Sequence, residues 1–112
     1  MNRKREAYLK KKEAQLKMFD ERIRQLEARL EYIDKNLHVE YHKAIDALQT
    51  NRNTFQEDLE KLKTVGEDSW KYLKKGVKQA NNDVKVAFKK IGKMFKQDNS
   101  ELKKDLNEKI EG

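Results

Sequence analysis

Leu16, Phe19, Ile23, Leu26, Leu30, Ile33 and Leu37 follow one another at alternating intervals of three and four. Such spacing lays one apolar seam along an α-helix and is the mark of a heptad repeat. Leu9 extends the seam toward the N-terminus, and beyond Leu37 the steps to Tyr41, Ile45 and Leu48 are four, four and three. That eleven-residue unit relaxes the left-handed supercoil of heptads. The pattern then resumes through Arg52, Phe55, Leu59 and Leu62. Proline is absent and the first glycine is Gly66. The reading is therefore a single helix over residues 3–64, about 90 Å long at 1.5 Å per residue. The place for a bend is "QTNRNTF", residues 49–55, where Asn and Thr are mediocre helix formers and Arg52 sits on the seam.

Gly66 is the strongest punctuation. It follows Leu62 and Val65 and precedes Glu67, Asp68 and Ser69, which reads as a C′ glycine and then the opening of a new helix. That second helix is expected over about residues 69–97, closed by a break at "QDNSE", with a polar tail that could form a short helix carrying Leu102, Leu106 and Ile110 on one side. Ser69 and Ser100 are expected as helix caps. The domain division is 1–97 for a helical hairpin and 98–112 for the tail.

On a helical wheel the second helix separates cleanly. Trp70, Leu73, Val77, Val84, Phe88, Ile91 and Phe95 share one arc, with Ala80, Ala87 and Met94 beside them. Lys71, Lys74, Lys75, Lys78, Lys85, Lys89, Lys93 and Lys96 gather on the opposite side. Residues 70–97 hold nine lysines and one acid, Asp83, whereas residues 1–65 hold fifteen Lys/Arg against twelve acids. The net charge of +7 is therefore mostly one local patch. Gly76 and Gly92 weaken this helix by roughly 1 kcal/mol each, so packing or binding is expected to offset them.

At 112 residues and 36% hydrophobic content, the chain is one domain with little material for a compact core. Cysteine is absent, which removes disulfides and thiol chemistry. "MNRKREAYLKKK" has no apolar stretch after its charges, so no secretory signal is expected. Apolar runs such as Val86-Ala87-Phe88 stop at three residues, too short for a membrane span. The expected location is the cytoplasm, with the membrane periphery as the alternative.

Chemistry-bearing clusters are sparse. His38 and His42 lie four apart, with Asp34 and Asp46 a turn further out on each side. They could offer two imidazoles and a carboxylate to zinc or nickel, but they equally make a ladder of Asp–His contacts at helical spacing. "HVEYH" places its Glu wrongly for a metalloprotease. With no cysteine, no glycine-rich phosphate loop and no cue for a pocket, the chain reads as a non-enzyme without a cofactor.

Four stretches resemble a family of small bacterial coiled-coil proteins, often labelled stress-response or apolipoprotein-like, whose molecular function is generally unassigned. These are "YLKKKEAQL" (residues 8–16), "QLEARLE" (25–31), "EYHKAIDALQTNRNTFQEDLEKLK" (40–63) and "GEDSWKYLKKGV" (66–77). In the last, Gly66, Trp70, Leu73, Gly76 and Val77 match the family's pattern. The resemblance implies a long helix with a shorter returning helix and supplies no mechanism.

The expected fold is thus an all-α, elongated coiled-coil hairpin. A returning helix of this length reaches back only about 44 Å. Leu9, Leu16, Phe19, Ile23, Leu26 and Leu30 are then left to pair with another copy, most simply in a dimer. The expected function is a structural or interaction protein that self-associates. The alternative is a peripheral membrane protein that inserts the apolar arc of residues 70–96 and holds anionic headgroups with its lysines. Sequence-specific nucleic-acid binding is not expected, because residues 70–96 lack arginine and keep their aromatics away from the lysines.

Overall fold

The computed structural model describes the backbone of residues 3–111 and the side chains of residues 3–96. Three helices follow in order: α1 (Arg3–Arg29), α2 (His38–Thr64) and α3 (Glu67–Glu111). Two short 3₁₀ turns, Leu30–Tyr32 and Lys35–Leu37, join α1 to α2. No strand occurs among the described residues, and the molecule is elongated, with extents of 68 × 23 × 20 Å. The all-α, elongated architecture expected from the repeat is present.

The single helix over residues 3–64 is not. The chain leaves the helix at Ile33 (φ −107°, ψ 145°) and Asp34 (φ −51°, ψ 131°). Asp34 Oδ1 accepts the Asn36 amide at 3.1 Å, and the Leu37 amide donates to the Asp34 carbonyl at 2.9 Å. An aspartate that captures the amide two residues on offers the backbone a local alternative to the helix. The alternative wins here because it lets α1 fold back and bury its own seam. Each large apolar side chain taken out of water contributes about 1.5–3 kcal/mol, which outweighs one helix interruption.

The bend expected at residues 49–55 is absent, and α2 runs through them. Thr50 and Thr54 donate their hydroxyls to the carbonyls of Asp46 and Thr50, at 3.0 and 3.1 Å. Arg52, the misfit on the seam, reaches across to Asp20 of α1. Its polar end is satisfied without disturbing the helix.

Contacts define an up-down-up bundle. Glu13 meets Lys63, Asp20 meets Arg52 and Glu27 meets Gln49, so α1 and α2 are antiparallel. Tyr41 packs on Phe95 at 4.7 Å and Asp58 lies beside Gly76, so α3 returns along α2 as expected. Tyr8 meets Trp70 and Phe19 meets Phe88, which makes α1 and α3 parallel neighbours. Phe19 stands at the centre, its ring 5.9 Å from Phe55 and 5.6 Å from Phe88. Leu48, Leu59, Leu62, Val77 and Val84 are buried around this axis.

The α2–α3 turn is short. Val65 is extended, and the Gly66 carbonyl accepts the Trp70 amide at 3.0 Å, so Gly66 ends one helix and caps the next. Its φ is not left-handed. α3 therefore starts at Glu67, with Glu67 and Asp68 facing the positive helix end, and Ser69 lies inside the first turn rather than at the cap. The break at "QDNSE" is also absent, since α3 continues to Glu111. Asp, Asn and Ser weaken a helix by less than about 1 kcal/mol each and do not stop it as a proline would. The side chains of Ser100, Leu102, Leu106 and Ile110 lie outside the described residues.

Candidate basic face of α1 and α3

The lysines of α3 lie where the wheel places them. Lys71, Lys74, Lys75, Lys78, Lys85, Lys89, Lys93 and Lys96 are all exposed. Opposite them Val77, Val84, Ile91 and Phe95 are buried, while Trp70, Leu73 and Phe88 are half-buried against the rest of the bundle. The apolar arc read as docking or lipid-facing is covered by α1 and α2.

The seam of α1 is likewise covered from within. Phe19, Ile23 and Leu30 are buried, and Leu9, Leu16 and Leu26 pack half-buried around the same core. The expectation that this stretch needs a second copy assumed an unbroken helix. With the turn at Ile33 and Asp34, α2 and α3 of the same chain pack over this seam instead.

Folding α1 beside α3 adds charge to the basic face. α1 carries ten Lys/Arg and five acids, and α3 through Lys96 carries nine and three, whereas α2 carries four and five. Glu13, Asp20 and Glu27 of α1 turn to α2. Arg52 Nε and Nη2 grip Asp20 at 2.7 and 3.0 Å, and Lys63 binds Glu13 at 2.6 Å and Glu60 at 3.1 Å. Asp83 accepts from Gln79 at 3.0 Å and lines a cleft with Ala44, Ala47 and Asn51 of α2.

What remains on the α1–α3 side is mostly cationic, with Glu6 and Glu67 at one end. Lys12 is half-buried, its ammonium 5.4 Å from the Tyr8 ring, while Lys74 reaches the same ring at 4.7 Å. Burial lowers the Lys12 pKa, and the nearby charges of Lys85, Lys11, Lys78 and Lys74 lower it further. Its hydrogen bond, to Gln15 Oε1 at 3.3 Å, brings no negative charge. Desolvation also raises the Tyr8 pKa, so that phenol stays neutral.

Three arginines of α1 reinforce this side. Arg5 lies 4.5 Å over Trp70, Arg22 5.8 Å over Phe88 and Arg29 5.0 Å over Phe95. Each such pair contributes about 0.5–1 kcal/mol when exposed. Lys12, Tyr8 and these arginines were invisible as a group in the sequence. One signal was there: Arg22 and Arg29 stand one heptad apart, each directly before a seam residue.

The histidine pair gathers no third ligating side chain among the described residues. His38 Nε2 is tied to the Ile33 carbonyl at 2.9 Å, and the two imidazoles meet edge to face at 6.1 Å. Among the described residues no three His, Cys, Asp or Glu side chains converge to hold an ion. No helix among them is long and apolar enough to cross a membrane. Compared with protein-family models, curated proteins and solved structures, the chain has no match.

Proposed function

We propose that this chain is a non-enzymatic interaction protein that adsorbs, as a closed bundle, onto an anionic membrane surface through the lysine face of α1 and α3. The observation that carries this reading is that Lys12 of α1 and Lys74 of α3 converge on the Tyr8 ring, at 5.4 and 4.7 Å, beside the exposed Lys71, Lys78 and Lys85. Such a cluster is relieved by negative charge from outside the protein. The row from Lys71 to Lys96 extends about 37 Å along α3 at 1.5 Å per residue, and each lysine near an anionic surface contributes about 1 kcal/mol. Trp70, Phe88 and Phe95 are engaged by α1 arginines and the core, so adsorption needs no insertion. Self-association enters this reading only between closed bundles, because the α1 seam is already covered.

Co-sedimentation with vesicles tests it. Binding is expected to vesicles containing phosphatidylserine and not to pure phosphatidylcholine. It should be lost in 0.5 M salt and in Lys74→Glu/Lys78→Glu/Lys85→Glu, with Trp70 emission unmoved. Binding that survives the triple substitution, or prefers duplex DNA at equal salt, overturns it. A blue shift of Trp70 on the vesicles would instead mean that the adsorbed protein takes hydrocarbon beside Trp70.

A further inference from the structure

A cavity of about 720 Å³ opens at the end of the bundle, where the start of α1 meets the α2–α3 turn. This lies within the roughly 300–1,000 Å³ of small-molecule sites. Its apolar wall is Tyr8, Leu9, Val65 and Trp70, all half-buried. Tyr8 and Trp70 meet edge to face at 5.7 Å, which fixes both rings. Arg5 secures the corner: its guanidinium lies over Trp70 and donates to the carbonyls of Leu62 and Val65. The apolar wall is thus braced by three elements before anything binds.

The rim is mostly cationic. Lys71 and Lys74, one helical turn apart on α3, border the cavity, and Lys74 leans over Tyr8 at 4.7 Å. Lys63, on the opposite side, is neutralised by Glu13 and Glu60. Glu6 and Glu67 are the acids of the lining. An apolar slot with paired ammonium groups at one edge matches a molecule with a greasy body and one anionic head. A neutral ligand would leave the lysines unused, and a small polar anion would leave the aromatic wall wet.

We infer that this cavity binds an anionic amphiphile, with the hydrocarbon part between Tyr8, Leu9, Val65 and Trp70 and the anionic head on Lys71 and Lys74. The site shares Lys71 and Lys74 with the lysine row proposed above for adsorption, but its apolar wall at Trp70 takes no part in that adsorption, so the Trp70 response separates the two. Either can fail without the other.

Trp70 is the only tryptophan and forms part of the wall, so its emission reports occupancy directly. Titration of the full chain with sodium dodecanoate, kept below micelle formation, is expected to give a saturable blue shift with a micromolar midpoint. Dodecanol should bind at least tenfold more weakly, as should Lys71→Glu/Lys74→Glu with dodecanoate. Leu9→Phe, which fills the slot, should abolish the response while circular dichroism confirms the fold. Lys85→Glu/Lys89→Glu, outside the cavity, should leave the midpoint unchanged. The proposal is overturned by the absence of a saturable shift up to millimolar dodecanoate, by equal affinity for dodecanol, or by equal weakening in the Lys85/Lys89 variant.

Discussion

The two interfaces of α1 are built from different chemistry. Against α2 its acids find partners: Asp20 holds Arg52, Glu13 holds Lys63, and Glu27 accepts from Gln49 at 3.0 Å. Against α3 it presents aromatic contacts and cations, and Lys12 faces lysines. One interface therefore pairs its charges within the bundle while the other gathers a positive excess. The difference shows that one helix can pair its acids on one side and gather its cations on the other.

The largest effect should come from the residue that both interfaces share. Phe19→Ala removes a buried ring that touches Phe55 of α2 and Phe88 of α3, and a loss of about 3–5 kcal/mol is expected. Urea unfolding followed by circular dichroism measures it. A loss below about 1 kcal/mol would mean that the interfaces do not meet at this ring.

Asn81 breaks the rule on the other side. It lies buried in α3 with its side-chain carbonyl oxygen lacking a donor among the described residues. An unsatisfied buried group costs about 1–3 kcal/mol, so Asn81→Leu should stabilise the bundle by that order. Thermal melting would reveal it, and a lowered midpoint would mean that the amide has a partner in solution.

Smaller again is the ion pair between Arg52 and Asp20. These side chains are 20% and 32% exposed, so solvent screening limits the pair to about 1 kcal/mol or less. A double-mutant cycle with Arg52→Met and Asp20→Asn should return a coupling of that size, weaker in high salt. A zero coupling at low salt would erase the contrast between the interfaces.

The smallest effect carries the opposite sign. Lys12→Met should stabilise by a few tenths of a kcal/mol, the size of like-charge pairs at helical spacing. The folded-state pKa of Lys12 lies below its ordinary 10.5, so between those values the unfolded chain binds more protons and stability rises with pH. Above the folded value the native lysine is already neutral. The advantage of Lys12→Met should therefore shrink as the pH rises through the folded value toward 10.5, read as the difference of two melting midpoints. An advantage independent of pH would assign the effect to packing alone.

Much of this was legible in the chain itself. The three-four spacing from Leu16 gave the helical class, Gly66 marked the second turn, and the wheel of α3 sorted its lysines from Val77, Val84, Ile91 and Phe95 correctly. The misplaced turn has a plain cause. Local propensity ranks residues 49–55 as the weak stretch, yet Arg52 and the two threonines are satisfied there by Asp20 and by backbone carbonyls. The turn falls instead at Asp34, whose capture of the Asn36 amide is a one-residue signal on an otherwise unbroken seam.

The sequence by itself determined that this protein is helical, that its apolar residues lie in stripes and that α3 is basic, because periodicity and charge are local properties of a chain. Tertiary structure alone decided what covers each stripe. Once α1 folds back, its seam packs against α2 and α3 of the same chain, and Lys12 is brought near lysines more than sixty residues away in sequence. Which charges are neutralised and which are left to act outward depends on distances across helices, and these exist only after the chain has turned.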